Sequence, residues 1–383
     1  MSSPNSFRIC ARTVAAALAA GAVAWLGGCS SGISYTAPKG ATPEQRRASF
    51  PINHEEYARI GYRVSWIGYP PVSSVRYLET YPDIVVAMDG SGTVTVMEQG
   101  TGQNRCSDQL GAPQTRFVGL ARDNSRIVCA SDGEAFLVDP QTCTLTTRQK
   151  FEKLVATEPV RYGDLIILGT PSGELMAHMT RIASGVKAWG FRLGGAIEHK
   201  PVLIGEAVGA VSQQGEVLFL DALSGSLMGR SFVYSGLAVD PVADDHLMYV
   251  AGLDQSIYAF APQGATLIWR VRTAYPLRTQ PTVHAGRLYC AIPNQGLTAF
   301  DASSGQVVWK CKDFKGTVVG TSHKNLVGFD REAHEAVTID AERGDVVERA
   351  KAPGAVMMKT DRFDDGNLFV VSSSGLVAKF QPK

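Results

Sequence analysis

Short apolar runs of four to six residues, broken by clusters of Gly, Pro, Asn and Ser, recur along almost the whole chain. Residues 280–313, QPTVHAGRLYCAIPNQGLTAFDASSGQVVWKCKD, show the pattern complete. Pro281, Thr282 and Val283 open a strand, and His284-Ala285-Gly286 turns. Residues 287–292 form a second strand, 293–296 turn again, and 297–301 form a third. After a turn over 302–305, residues 306–310 form a fourth strand that carries Trp309. Runs of this length between turn residues signal strands and hairpins. One small sheet cannot bury its own faces, so such a unit has to recur.

It recurs eight times. The residue that opens the third strand is Gly92, Gly133, Gly173, Gly215, Ser256, Gly296, Glu335 and Gly375 in turn, at spacings of 41, 40, 42, 41, 40, 39 and 40. A period near 40 with four strands per unit predicts an all-β, eight-bladed β-propeller of four-stranded antiparallel blades. After Gly375 the chain holds only one more strand, so the eighth unit lacks its fourth. The stretch 62–66, YRVSW, is a strand without a unit, and its Trp66 sits where a fourth-strand tryptophan belongs. We therefore expect this N-terminal strand to complete the last blade and close the ring, which leaves no open sheet edge.

The first 28 residues read as a signal peptide rather than as part of the fold. Arg8 and Arg12 precede an apolar run over 14–26, too short to span a bilayer comfortably. The following Leu26-Gly27-Gly28-Cys29 resembles a bacterial lipobox, which implies lipid attachment at Cys29. Ser30 after the cysteine implies outer-membrane sorting by the rule of enteric-type bacteria. Residues 29–59, with Pro38, Gly40, Pro43 and Pro51, read as a polar linker, and 60–383 as the propeller.

The formal net charge is +1, and removal of residues 1–28 leaves 35 basic against 36 acidic residues. A near-neutral chain without a basic block offers no electrostatic case for nucleic acid. Beyond Cys29 there are Cys106, Cys129, Cys143, Cys290 and Cys311, without CxxC spacing. Five is an odd number, so at least one stays free or pairs outside the chain; small buried hydrophobes are the expectation for most. The seven histidines show no HxxxH or HExxH spacing, and neither a GxSxG elbow nor a phosphate loop is present. Asp244-Asp245 and Asp364-Asp365-Gly366 are the densest acidic pairs, and both read as turns before strands.

Apart from Trp25, every tryptophan (Trp66, Trp189, Trp269 and Trp309) holds one position in its unit. Repetition around a ring points to inter-blade packing rather than to a converging ligand platform. The stretch 299–309, AFDASSGQVVW, resembles the A-x-D-x-x-x-G-x-x-x-W tryptophan-docking repeat of the PQQ-like (quinoprotein) propeller superfamily. Ala299, Asp301, Gly305 and Trp309 are its marks here; partial copies are Asp221 with Gly225, Asp340 with Gly344, and Ala259 with Trp269. Within that superfamily the chain resembles the BamB-type lipoproteins of the outer-membrane β-barrel assembly machinery.

That resemblance implies a non-catalytic, lipid-anchored scaffold on the periplasmic side of the outer membrane. It implies protein partners in the envelope, among them the barrel-assembly subunit, contact with the membrane through the lipid only, and no cofactor. Partner-holding loops would fall near 194–200 and 234–240. The first lacks the family's Leu/Arg pattern and the second has only Asp240 before Pro241, so no partner-binding residue is carried over. The alternatives are a PQQ-dependent dehydrogenase-like protein and a ligand- or glycan-binding propeller. The dehydrogenases are much longer, with catalytic insertions and often a vicinal Cys-Cys pair, which this chain lacks. A glycan binder would want exposed aromatics on one rim.

Overall fold

A computed structural model describes Thr42, Glu44, Gln45 and residues 53–383 except 73 and 182–184. Lipid attachment at Cys29, the signal peptide and most of the expected linker lie outside the described residues. Eight four-stranded antiparallel sheets follow one another along the chain. Seven are contiguous and span 77–109, 117–150, 160–192, 202–232, 242–272, 282–311 and 317–351. The eighth is composite. Ala355–Thr360, Leu368–Ser372 and Val377–Pro382 pair in order, and Tyr62–Gly68 adds as the outer strand with Tyr62 opposite Pro382. This is the predicted eight-bladed propeller closed by an N-terminal strand.

The second strand of a blade is buried end to end, as in Ile84–Met88, Leu165–Gly169 and Ala207–Val211. The reason is that both faces of each sheet are covered by neighbouring sheets. Leu165, Ile167 and Leu175 of blade three pack with Val208, Ala210 and Leu218 of blade four. Tyr249 and Ala259 of blade five pack with Leu288 and Phe300 of blade six. The apolar core therefore lies between blades, and no blade owns one by itself.

One contact recurs at these seams. In each outer strand one residue faces the third strand just after a register shift. In order these are Trp66, Cys106, Thr147, Trp189, Gly229, Trp269, Trp309 and Glu348. Where it is tryptophan, it lies on the third hairpin of the next blade. Trp269 Nε1 donates to Ala302 O at 2.9 Å, Trp309 to Ala341 O at 2.9 Å, Trp189 to Ala222 O at 3.2 Å and Trp66 to Gln99 O at 3.0 Å. The glycine four residues after the hairpin's acid makes room. Gly305 has φ +71°, and a Cβ there would stand 2.7 Å from the Trp269 ring. Asp301 holds the same hairpin, its Oδ1 accepting from the amides of Ser303 and Ser304. Ala299 is the buried third-strand residue opposite Trp309.

The other seams solve the same problem differently. Cys106 stands at the tryptophan position of blade one, and Cys143 at the glycine position of blade two, with φ 57°. They form a disulfide, so a covalent bond replaces the indole dock. Cys129, Cys290 and Cys311 are free and buried, as small hydrophobes. At the next seam the carbonyl of Thr180 accepts from Gln149 Nε2 at 3.0 Å, and Gln149 Oε1 lies 3.0 Å from His178 Nε2. Burial pushes the His178 pKa down to about 4, which keeps this buried imidazole neutral. Between blades four and five the outer position is Gly229, and the Gln263–Ala265 turn packs directly on it; a Cβ at Gly229 would meet Ala265 N at 2.1 Å.

The last seam uses a helix that lies within the stretch read as linker. His54–Arg59 is capped by Asn53, whose Oδ1 accepts from Glu55 N at 3.0 Å and Glu56 N at 3.4 Å. Tyr57 stacks on Phe380 at 4.0 Å and joins Ala350 and Leu368 in one cluster between blades seven and eight. Lys351 N donates to Glu56 Oε2 at 3.0 Å.

We expect the docks to act as stability elements of comparable weight. Trp309→Ala should cost about 3–5 kcal/mol in urea unfolding, while Val308→Ala, half exposed beside it, should cost well under about 1 kcal/mol. The Cys106–Cys143 bridge closes a separation of 37 residues, and its reduction should cost roughly 3–4 kcal/mol by the chain-entropy argument. A Cys106→Trp/Cys143→Gly variant should regain part of that loss and be insensitive to reductant. Equal losses at Trp309 and Val308, or no effect of reductant on the wild type, would contradict this reading.

Candidate interaction site

Four connectors from an outer strand to the next inner strand, over 151–159, 193–201, 233–241 and 273–281, are built the same way. Each leaves the outer strand with an amide bond to the second hairpin, among them Leu193 N to Gly173 O, Val233 N to Gly215 O and Thr273 N to Gln255 O, at 2.7–2.8 Å. A buried apolar residue then anchors it, Ile197, Leu237 or Leu277. It ends on a residue before proline, and the proline opens the inner strand: Glu158-Pro159, Lys200-Pro201, Asp240-Pro241 and Gln280-Pro281. Proline suits that place because the strand start needs no amide donor. The connectors and second hairpins thus share one face of the disc, here called the connector face.

The four residues before proline bond to one another from blade to blade. Lys200 Nζ donates to Glu158 Oε2 at 3.1 Å, and Lys200 N to Asp240 Oδ1 at 2.9 Å. Gln280 and Asp240 exchange two bonds, from Asp240 N to Gln280 Oε1 at 3.1 Å and from Gln280 Nε2 to Asp240 O at 3.0 Å. His199 lies between the two middle connectors, with Nε2 3.0 Å from Leu237 O and Nδ1 3.3 Å from Asp240 Oδ1. Both partners are acceptors, so only the imidazolium can satisfy both. Burial disfavours that charge, but the bonds to Asp240 and Leu237 outweigh it, and the His199 pKa is raised. Burial likewise works against the Lys200 charge, and Glu158 and Glu79 overcome it, raising its pKa. The stretches 194–200 and 234–240 are therefore neighbours locked by Asp240.

On this face stand side chains that no core requires. Phe232 is 66% exposed, Tyr234 81% and Tyr275 44%. Tyr234 is nevertheless held: the Arg270 guanidinium lies 4.8 Å from its ring centre and 5.0 Å from that of Tyr258. Arg270 is itself tied to Ser256 Oγ at 2.9 Å. A hollow of about 570 Å³ lies on the blades beyond, lined by Ile292, Val319, Phe329 and Met357 together with Arg278 and Arg331. Rigid, exposed aromatics on ordered loops can anchor a protein partner.

The residues singled out in the sequence do not converge here. The four tryptophans are spread over four seams. Asp244 caps a hairpin, accepting from His246 N and Leu247 N, and Asp365 accepts from His323 N. Asp364 pairs with His284 at 2.9 Å. Among the described residues no group of three His, Cys, Asp or Glu could hold a metal. Phe232, Tyr275 and the rest of the belt before proline escape the sequence, whereas Tyr234 and Asp240 fall within the 234–240 stretch expected to hold a partner. A signal for the belt was present, since the residue-proline pairs recur with the blade period.

The family model described as "Outer membrane protein assembly factor BamB" matches residues 213–381. A protein of that description from Burkholderia pseudomallei (strain K96243) is 27% identical over 116 residues, 30% of this chain and 30% of that one. Another, from Bordetella pertussis (strain Tohama I), is 27% identical over 138 residues, 35% and 36% of the two chains. The chain thus matches about a third of the length of these relatives. BamB from Moraxella catarrhalis has a similar structure, with TM-score 0.64 and 18% identity, over 81% of this chain and 96% of that one. The computationally designed Ika8 protein reaches 0.69 at 13% identity, over 84% and 99%. Such structural likeness speaks for the fold alone.

The belt generates a pH prediction. A folded pKa raised above the unfolded value of about 6.5 adds stability that is full below that pH and lost as pH rises through the raised value. Asp240→Asn should therefore cost more stability at pH 5.5 than at pH 8.5, measured by urea unfolding at both. A cost independent of pH would show that Asp240 acts on the belt without His199.

Proposed function

We propose, for this PQQ-like and BamB-like propeller, the role of a non-catalytic docking scaffold in outer-membrane β-barrel protein assembly. The observation that carries the reading is the pair of exposed aromatics Phe232 and Tyr234, the second held by Arg270, beside the locked 193–201 and 233–241 connectors. They lie in the region matched by the BamB family model. The connectors over 193–201 and 233–241 make a stiff surface because each is tied at both ends, to a hairpin outside and to the belt inside. Stiffness lowers the ordering cost of binding.

In this reading Cys29 carries the lipid, the chain up to Asn53 is the tether, and the propeller works in the periplasm at the outer membrane. The Cys106–Cys143 disulfide agrees with an oxidising envelope compartment. The partner is a protein of the barrel-assembly machinery, and the membrane is met only through the lipid.

The test is affinity recovery from detergent-solubilised envelopes, with mass spectrometry of what is retained. Wild type should retain a barrel-assembly protein. Phe232→Ala/Tyr234→Ala should lose at least about tenfold of it with an unchanged melting temperature, since two anchoring aromatics are worth about 1–4 kcal/mol each. Absence of such a partner from the wild type would overturn the proposal.

A further inference from the structure

The residue three places after each dock position ends or follows the outer strand on the connector face. These eight residues are Tyr69, Gln109, Lys150, Arg192, Phe232, Arg272, Lys312 and Lys351. Five are cations, none is an acid, and all five cations are exposed. Backbone bonds establish the equivalence. The residues that follow Lys150, Arg192, Phe232, Arg272 and Lys351 all donate their amide to the second hairpin of their own blade, as Phe151 N does to Gly133 O at 2.9 Å and Ala352 N to His334 O at 2.8 Å.

The rim charges are surplus. Across the strand pair, Lys150, Arg192 and Lys351 face Glu134, Glu174 and Glu335. Each of those acids is already paired elsewhere. Glu134 binds Arg148 at 3.0 Å, Glu174 binds Lys187 at 2.7 Å and also Lys153, and Glu335 binds Arg349. Arg148 and Arg349 stand two residues before their rim positions, on the same side of the strand. Among the described residues none of the five rim cations makes an ion pair or a side-chain hydrogen bond. The opposite face carries acids at its hairpins, among them Asp221, Asp245, Asp340 and Asp345. A chain that is nearly neutral in sum therefore has a basic rim on one face.

We infer that this rim receives an acidic segment of a protein partner, a stretch rich in Asp and Glu that reaches across several blades. Charge complementarity argues for it. Five unpaired cations at one repeated position leave a field that an acidic polypeptide can neutralise, while Phe232 interrupts the rim with the aromatic anchor of the docking surface. Single exposed charges contribute little each, so the rim acts by number, speeds encounter, and weakens with salt. The inference deepens the scaffold reading and rests on it for the partner's identity.

The test uses a fluorescent oligo-glutamate peptide as probe, with binding read by anisotropy at low and physiological ionic strength. Lys150→Glu/Arg192→Glu/Arg272→Glu should weaken binding by at least about tenfold and leave the melting temperature unchanged. The control Lys324→Glu/Arg343→Glu/Arg362→Glu, in the hairpins of the other face, should change binding by less than about twofold. Vesicles of phosphatidylglycerol in phosphatidylcholine should not compete. Undiminished binding by the rim variant, equal loss in the control, or competition by the vesicles through the same three residues would overturn it. Normal peptide binding with no barrel-assembly partner recovered would remove the scaffold assignment and leave the acidic-ligand rim in place.

Discussion

The ring depends on one inter-blade contact, an outer-strand side chain laid on the third hairpin of the following blade. The buried apolar core sits between blades, so a blade that parts from its neighbour exposes its core on both sides. At four seams the contact is an indole with its N–H on a carbonyl. At the others it is a disulfide, an amide network around His178, a turn seated on Gly229, and a helix bearing Tyr57. Where tryptophan or cysteine follows the bulge it reaches the third hairpin of the next blade, and at the remaining seams Gln149, the 263–265 turn or Tyr57 fills the space instead.

Closure follows from the same constraint. The eighth blade has no hairpin after its third strand, so nothing there could receive a dock from blade seven. The helix His54–Arg59 and the strand Tyr62–Gly68 fill that gap from the other end of the chain. The connectors then inherit their stiffness from the ring. They hang between a hairpin and the belt of Glu158, Lys200, Asp240 and Gln280, with Phe232 and Tyr234 exposed where one of them leaves its outer strand.

The period of 40 and the turn residues made blade number, strand order and the closing strand legible in the sequence. Strands such as Leu165–Gly169 and Arg287–Ile292 lie where the apolar runs place them. What escaped is what periodicity in composition does not carry. Cys106 and Cys143 replace a tryptophan and a glycine, so neither looks like a dock until the register is known. Tyr234 reads as an ordinary connector residue, and its exposure depends on where Arg270 stands. The basic rim is hidden because its cations are offset by acids on the other face, and a net charge sums both.

The ring holds together only with its closing segment in place. The direct measurement is urea unfolding of a variant lacking residues 53–68, followed by tryptophan fluorescence and far-UV circular dichroism. Removal of the helix and strand takes away the last seam's helix, the eighth blade's outer strand and the Trp66 dock together. The wild-type transition should disappear or move to far lower urea with both probes, including the signal from Trp269 and Trp309 across the ring. A cooperative transition at the wild-type midpoint would contradict it.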